Sequence, residues 1–372
     1  MHGPVCKVAG REAPDAPPGD VESMGFPWSL TRWPIPFCLC PMRRCTPLPC
    51  LCAAILALAA ASVTAAEPAA ELGSFSVFKN LDVNKLAGGK VQMLRGPTMG
   101  FSRGLAIESC YLVRKPLAKT VEFQKQWIAQ RHPELRAWIH SPVPARASAN
   151  DFKGLASAPS NSSVKSFMAA TEKLGSGSTT LQMSAAEAKS FSGSGGPGAF
   201  WGNLLAHRAS AYGSGGLGKL PPYETTGEPA RAADETARLL KEVPKVRGQF
   251  GALLDAFAAG KGASAHYWEM IDIEGQAAVA LGVQHFRSAG PSMQALDAEY
   301  YSSGGYYVLI TLYQMWPINA GGQDATLVWR GDLISAPQLG ELRGVERMGS
   351  GSAMMRETQK TIDLFLKDAG SK

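Results

Sequence analysis

The stretch Gly104-Leu-Ala-Ile-Glu-Ser-Cys-Tyr-Leu-Val-Arg114 decides how the rest of this chain can be arranged. Its apolar side chains alternate, so that one face carries Leu105, Ile107, Tyr111 and Val113. Glu108 falls on the other face, and a period of two with one polar face is typical of a half-buried strand. Lys115-Pro116 ends the strand. The apolar spacing over residues 117–127 then predicts a helix, in which a proline near the first turn is favoured.

The last third of the sequence returns to the strand pattern. Four segments show it: 266–274, 277–286, 305–316 and 325–334. The third is apolar on both faces, so we expect it to lie centrally in a sheet with both sides covered. In the fourth, Leu327 and Trp329 share one face of the strand. Arg330 and Asp332 fall on the opposite face, and a further short strand is expected at 136–140.

Residues 150–260 carry helical spacing instead. The apolar positions Val164, Phe167, Thr171 and Leu174 recur every three or four residues. Ser184-x-x-Glu187 is a capping box that opens another short helix. A long closing helix is expected over residues 352–369. This order of elements predicts an α+β fold, with a curved antiparallel sheet packed on a long C-terminal helix and a helical insertion between strands.

The first 66 residues have the character of a leader rather than of a folded domain. Six of the seven cysteines lie at or before position 52. Basic residues follow Met42, an apolar run spans 53–63, and small residues precede Glu67, which is the order found in a secretory signal peptide. We therefore expect cleavage near Ala66 and a secreted or periplasmic protein. Because the signal starts at Met42, residues 1–41 are interpreted as a mis-assigned upstream extension.

The remaining chain is interpreted as one domain in three parts. They are an N-terminal part of the α+β domain at 67–149, the helical insertion at 150–260, and the C-terminal strands and closing helix at 261–372. Cys110 is the single cysteine of this region and cannot form an internal disulfide, so it is expected to be an inert buried thiol.

Composition and spacing exclude several classes of function. The net charge of +6 is small for 372 residues and is not clustered, which gives nucleic-acid binding no support. No apolar run is long enough for a stable transmembrane anchor. The histidines lack the paired spacing of a metal site, and no cofactor is expected. Gly213–Lys219 matches the core of a phosphate-binding loop, but Pro221-Pro222 prevents the helix that such a loop needs.

A weak catalytic candidate is Ser102, which lies in a G-x-S-x-G pattern at 100–104. The nucleophile elbow of serine hydrolases has this pattern, but there the serine sits between a strand and a helix. Here a strand follows the pattern. An enzyme is therefore the less favoured interpretation. The aromatic residues of segment 300–330 suit either an ordinary core or the lining of an apolar pocket, and the sequence leaves both open.

The strand and turn Gly104–Pro116, together with the strands of 305–334 and the helix 352–369, resemble the START-like (polyketide-cyclase/lipid-transfer) superfamily in the order of their elements. The resemblance implies a pocket between the sheet and the final helix for a lipid or other apolar small molecule. The side chains expected to line it are Ile107, Tyr111, Leu281, Leu327, Trp329, Met355, Ile362 and Phe365. Two alternatives stay open: a non-catalytic cell-envelope interaction protein with an unknown protein partner, and a serine hydrolase using Ser102.

Overall fold

The strands of this computed structural model, which describes residues 68–174 and 179–371, form one curved and open antiparallel sheet. In chain order they are β1 (Gln92–Arg95), β2 (Gly104–Val113), β3 (Ala137–Pro142), β4 (Ala265–Ile273), β5 (Gln276–Ala289), β6 (Ser292–Ser302), β7 (Val308–Ala320) and β8 (Gln323–Ser335). Across the sheet they follow the order β1-β2-β8-β7-β6-β5-β4-β3. The expected extension at 1–41 and the signal peptide at 42–66, with its cleavage site near Ala66, lie outside the described residues.

Helices cover both faces of this sheet. They are α1 (Pro68–Phe75), α2 (Val83–Ala87), α3 (Leu117–Gln126), α4 (Ser162–Glu172), α5 (Ala185–Lys189), α6 (Gly196–Gly215), α7 (Ala232–Glu242), α8 (Pro244–Gln249), α9 (Gly251–Ala259), α10 (Pro337–Glu341) and α11 (Gly344–Asp368). Helices α4 to α9 fall between β3 and β4, so the α+β class, the insertion and the long closing helix are all confirmed. Among the described helices, none combines the length and hydropathy needed to cross a bilayer.

The two faces of the sheet pack against different helices. On the insertion face, which carries Cys110, Leu281 and Trp329, the side chains join those of helices α4 to α9 in the main core. On the helix face, which carries Tyr111 and Tyr313, they pack against α3 and α11. Each strand thus divides its side chains between two hydrophobic layers, as the period of two requires.

The prediction that 305–316 lies centrally is confirmed, because β7 lies between β6 and β8 and is covered on both sides. The half-buried assignment of β2 is wrong, since both of its faces are covered. The side chain of Glu108 points to the insertion face and is only 3% exposed. Its Oε2 accepts hydrogen bonds from the Trp329 indole at 2.9 Å and from the Val77 amide at 3.0 Å. Two charge-assisted hydrogen bonds allow this carboxyl group to lie inside the core.

Strands β1 and β6 have no counterpart among the predicted elements. The sequence does not predict β6 because polar residues interrupt the apolar alternation on both faces of the strand. Gln294 points to the insertion face, where its amide donates to Gln314 Oε1 at 2.9 Å. Asp297 and Glu299 point to the helix face. Buried polar side chains of this kind remove the hydrophobic period on which strand prediction depends.

A bulge in β6 fixes which side chains reach each face. The pairing with β5 shifts between Leu281, opposite Tyr301, and Gly282, opposite Glu299, which leaves Tyr300 as the extra residue. Tyr300 and Tyr301 therefore both reach the insertion face, where the Tyr300 ring stacks on Tyr212 at 4.0 Å. Glu299 precedes the bulge and lies on the helix face with Asp297 by ordinary alternation.

The closing helix α11 begins eight residues before the expected position 352. Its first two turns have exposed Val345 and Met348 and lack the apolar stripe from which the helix was predicted. Arg347 holds these turns in place instead, because its guanidinium donates to the backbone oxygens of Ser102 and Gly104 at the start of β2. Further along, Ile362, Phe365 and Leu366 pack on the sheet.

Candidate functional site

A cavity of about 180 Å³ lies between the helix face of the sheet and the helices α3 and α11. The sheet contributes mostly polar side chains: His140, Tyr267, Glu269, Gln284, Asp297, Glu299, Thr311 and Arg330. The helical side contributes mostly apolar ones, among them Trp127, Ile128, Ile362 and Phe365. The cavity therefore has a polar floor and an apolar roof.

Asp297 of β6 lies at the middle of the floor, facing Gln284 of β5 and Thr311 of β7 in register. Its Oδ1 accepts a hydrogen bond from the Tyr267 hydroxyl at 2.5 Å, and its Oδ2 accepts one from the Gln284 amide at 3.0 Å. Burial raises the pKa of Asp297, while these two hydrogen bonds oppose the rise. Two oriented donors thus fix the position of this partly buried carboxyl group.

Glu299 lies two residues further along β6 and shares the face of Asp297. Its Oε2 accepts a hydrogen bond from the Tyr306 hydroxyl. Burial raises the pKa of Glu299 well above its ordinary value, and the negative charges of Glu269 and Asp297 raise it further. Like charges and desolvation both favour the protonated form, so this carboxyl group resists ionisation in the folded protein.

Glu269 of β4 completes the acidic floor. Its Oε1 lies 2.6 Å from His140 Nδ1 on the edge strand β3, directly opposite in register. The His140 ring stacks on the Tyr267 ring at 5.0 Å between centroids, which fixes the orientation of the imidazole. Hydrogen bonds and stacking thus hold the three carboxyl groups of the floor in place before any ligand arrives.

Arg330 of β8 lies at the other end of the floor. Its Nε donates to Asp332 Oδ2 at 2.9 Å, and its Nη2 donates to Asp332 Oδ1 at 2.7 Å. Thr311 adds a third donor to the same carboxylate at 2.8 Å. Among the described residues that line the cavity, Arg330 is the single Lys or Arg, and its charge is already balanced by Asp332.

The roof is built from aromatic rings that lean on one another. Phe365 contacts Tyr111 of the floor at 6.2 Å and Trp127 at 5.7 Å between ring centroids. The Trp127 indole and the His132 ring both hydrogen bond to Asp368 Oδ2, at 2.9 Å and 2.8 Å. These contacts fasten the segment after α3 to the C-terminal end of α11, across the cavity.

The eight residues expected to line a pocket divide between the two faces. Tyr111, Ile362 and Phe365 do line the cavity. Ile107 is buried on the same face, and Met355 is a partly buried residue of α11, but neither lines it. The other three, Leu281, Leu327 and Trp329, do not line it either, because they point to the insertion face and pack in the main core.

The position of Ser102 lacks the geometry of a nucleophile elbow. The serine is exposed, in a turn that leads directly into β2, whereas an elbow places it between a strand and a helix. His132 and His140 hydrogen bond to carboxylates elsewhere in the fold, His132 to Asp368 and His140 to Glu269.

Asp297 and Glu299 were missed in the sequence. The signal that could have found them is the pair of carboxylates two residues apart in a segment that is otherwise rich in Ala, Leu and Tyr. Asp272 and Glu274, another pair of carboxylates two residues apart, are separated by the end of β4. Glu274 has left the strand with φ 53°, and Asp272 Oδ1 accepts from the Gly275 amide at 2.7 Å.

Comparison with known proteins adds no assignment, since neither a scan against protein-family models nor a search of the curated proteins returns a match. Over 68–174 and 179–371, no cluster of His, Cys, Asp or Glu has the composition and proximity of a metal site. The chemistry of the cavity therefore has to be inferred from its own side chains.

Proposed function

We propose that the protein binds a small organic cation, such as an amine, in the cavity between its sheet and its C-terminal helix. The observation that carries this proposal is the acidic floor, where Glu269, Asp297 and Glu299 converge on a cavity in which Arg330 is already neutralised. Carboxylates close together and partly removed from water repel one another unless a positive charge compensates them, and the raised pKa of Glu299 reflects its burial and that repulsion. An ammonium group placed among them would supply that charge and donate hydrogen bonds.

The roof suits the remainder of such a ligand. Trp127 and Phe365 present aromatic surface above the floor, which can cover an alkyl or aryl substituent and attract a nearby cation through its ring electrons. A molecule with a charged amine at one end and an apolar group at the other would match both walls.

A small amine fits this cavity better than the lipid expected from the sequence. The volume of about 180 Å³ lies below the range of about 300–1,000 Å³ found for drug-sized ligands, and a long acyl chain would exceed it. Hydrocarbon against the acidic floor would also remove the last solvent from three carboxyl groups without offering a hydrogen bond in return. If the chain is exported, as its leader predicts, such a ligand would be captured outside the cytoplasm.

The proposal is tested by isothermal titration calorimetry at pH 7 with benzylammonium and butylammonium as probes. Benzyl alcohol and butanol serve as neutral isosteres of similar shape. We expect saturable binding of the ammonium probes and at least about tenfold weaker binding of the alcohols, since a charge-assisted hydrogen bond is worth about 1.5–3 kcal/mol.

The matched variants are Asp297→Asn, which removes one carboxylate from the floor, and Asp324→Asn, which removes an exposed carboxylate from the turn side of β8. Both change the net charge equally. Ammonium binding should weaken in the first variant and stay unchanged in the second. Equal binding of alcohols and ammonium ions, or equal losses in the two variants, would contradict the proposal.

A further inference from the structure

We infer that the ligand is a zwitterion, whose carboxylate is held by Arg330 while its ammonium group lies over the acidic floor. This inference deepens the proposed function and rests on it. It follows from two observations. Asp332 takes the Nε and Nη2 donors of Arg330 but not Nη1, and Arg330 lines the cavity.

The hydrogen bonds of Arg330 leave one nitrogen free. Nε and Nη2 both donate to Asp332, but Nη1 has no acceptor among the residues that the structure describes. The Arg330 side chain is 14% exposed and lines the cavity. We place Nη1 at that exposed surface, since Nε and Nη2 are turned toward Asp332.

Asp332 cannot easily exchange its partners for a ligand. Its carboxylate is held by the guanidinium on one side and by the Thr311 hydroxyl at 2.8 Å on the other, so the ion pair is a fixed part of the wall. The guanidinium also lies over the Tyr313 ring, 5.7 Å from its centroid. An arginine oriented in this way presents Nη1 in one direction, and the planar fork of arginine suits a carboxylate oxygen.

The positive and negative ends of the floor lie on different strands. Asp297 of β6 faces Thr311 of β7, which in turn faces Asp332 of β8, and Arg330 is two residues along β8. Two strand spacings correspond to about 10 Å across the sheet. A ligand that touches both ends therefore has its carboxylate and ammonium groups separated by several bonds, as in an ω-amino acid, and not on one carbon as in an α-amino acid.

A carboxylate suits the Arg330 end of the cavity better than a phosphate group does. One nitrogen is available, and the charge of the guanidinium is shared with Asp332, whereas a phosphate group would bring up to two negative charges to a cavity that is already acidic. A carboxylate brings a single negative charge to Nη1, and the ammonium group of the same ligand offsets it, so the ligand adds no net charge to the cavity.

The test compares 4-aminobutanoate and 6-aminohexanoate with butylammonium and hexylammonium, by calorimetry at pH 7. We expect at least one amino acid to bind about tenfold more tightly than its amine of the same length, which corresponds to one additional charge-assisted hydrogen bond. Glycine, in which the two charged groups share a carbon, should show no such gain. Amino acids that bind no more tightly than the amines would overturn the inference while leaving the proposed function in place.

The matched variant is the double substitution Arg330→Gln with Asp332→Asn. Changing both members avoids leaving an unpaired buried charge. The control is Arg247→Gln with Asp255→Asn, which removes an exposed ion pair between α8 and α9. The first double variant should lose the preference for the amino acid and keep its affinity for the amine, whereas the control should keep both. A preference that survives in the first double variant would overturn the inference.

If the double variant does not fold, Arg330→Lys provides the second test. Lysine keeps the positive charge beside Asp332 but lacks the second nitrogen of the fork, so the preference should again be lost. If the unaltered protein binds no ammonium probe at all, the proposed function fails and the inference fails with it, which is a different result from equal binding of amines and amino acids.

Discussion

Replacement of Glu299 by glutamine should stabilise the protein at neutral pH. Glutamine keeps an oxygen that can accept from Tyr306, but it carries no proton equilibrium and adds no charge beside Glu269 and Asp297. The pKa of Glu299 is raised in the folded state by burial and by those neighbouring charges, so the folded state binds a proton that the unfolded state has released. Stability therefore falls as the pH rises above the ordinary glutamate pKa of 4.5.

The size of the stability difference follows from the proton that Glu299 keeps in the folded state. Keeping a carboxyl group protonated costs about 1.4 kcal/mol for each pH unit above its unfolded pKa, which sets a ceiling of about 3 kcal/mol at pH 7. We expect Glu299→Gln to raise the free energy of unfolding at pH 7 by about 1–3 kcal/mol. Unfolding entropy scales with chain length, and for about 300 residues this corresponds to a rise in Tm of about 2–5 °C.

The assay is thermal unfolding of the unaltered protein and of Glu299→Gln between pH 4 and pH 8, with the exposed Glu341→Gln as the control. The stability difference should be near zero at pH 4, grow as the pH rises and be present at pH 7. The control should show no such trend. A Glu299→Gln protein that is no more stable at pH 7, or that differs equally at both ends of the pH range, would refute the reasoning about this carboxyl group.

Three further outcomes are expected. Trp329→Ala should lower the free energy of unfolding in urea by about 3–5 kcal/mol, because it leaves a cavity in the main core and removes a hydrogen-bond donor from Glu108. The folded variant should bind ammonium probes with unchanged affinity. Trp127→Leu should weaken benzylammonium binding several-fold in calorimetry, by about 0.5–2 kcal/mol, through loss of aromatic surface. Cys110 should resist alkylation by iodoacetamide in native protein and react after unfolding, because burial raises the pKa of its thiol; rapid native labelling would contradict its position.

The strands and helices with a regular hydrophobic period could be predicted from the sequence. The face shared by Leu105, Ile107, Tyr111 and Val113, the central place of β7 and the capping box at Ser184 all follow from local rules, and the structure shows each of them. Such elements are predictable because their apolar residues must reach a common core. Boundaries are less predictable: β7 covers Val308–Ala320 where 305–316 was expected, and α11 begins at Gly344, where no apolar stripe marks its start.

The site could be predicted far less well, for a physical reason. Alternation tells which residues of a strand share a face, but it does not tell which of two helical layers covers that face. Trp329 and Tyr111 were both expected under the final helix, and they lie on opposite sides of the sheet. The acidic floor is harder to predict, since Glu269 comes from β4 while Asp297 and Glu299 come from β6, and they meet only through the register of the sheet.

The central claim is that an ammonium group lies among the carboxyl groups beneath α11, and a crystal structure with benzylammonium tests it most directly. The account predicts the ammonium nitrogen within about 3 Å of an Asp297 oxygen, with the ring of the ligand against Trp127 and Phe365. Density for the ligand at another surface, or a cavity that stays free of it at concentrations that saturate binding in solution, would contradict the claim.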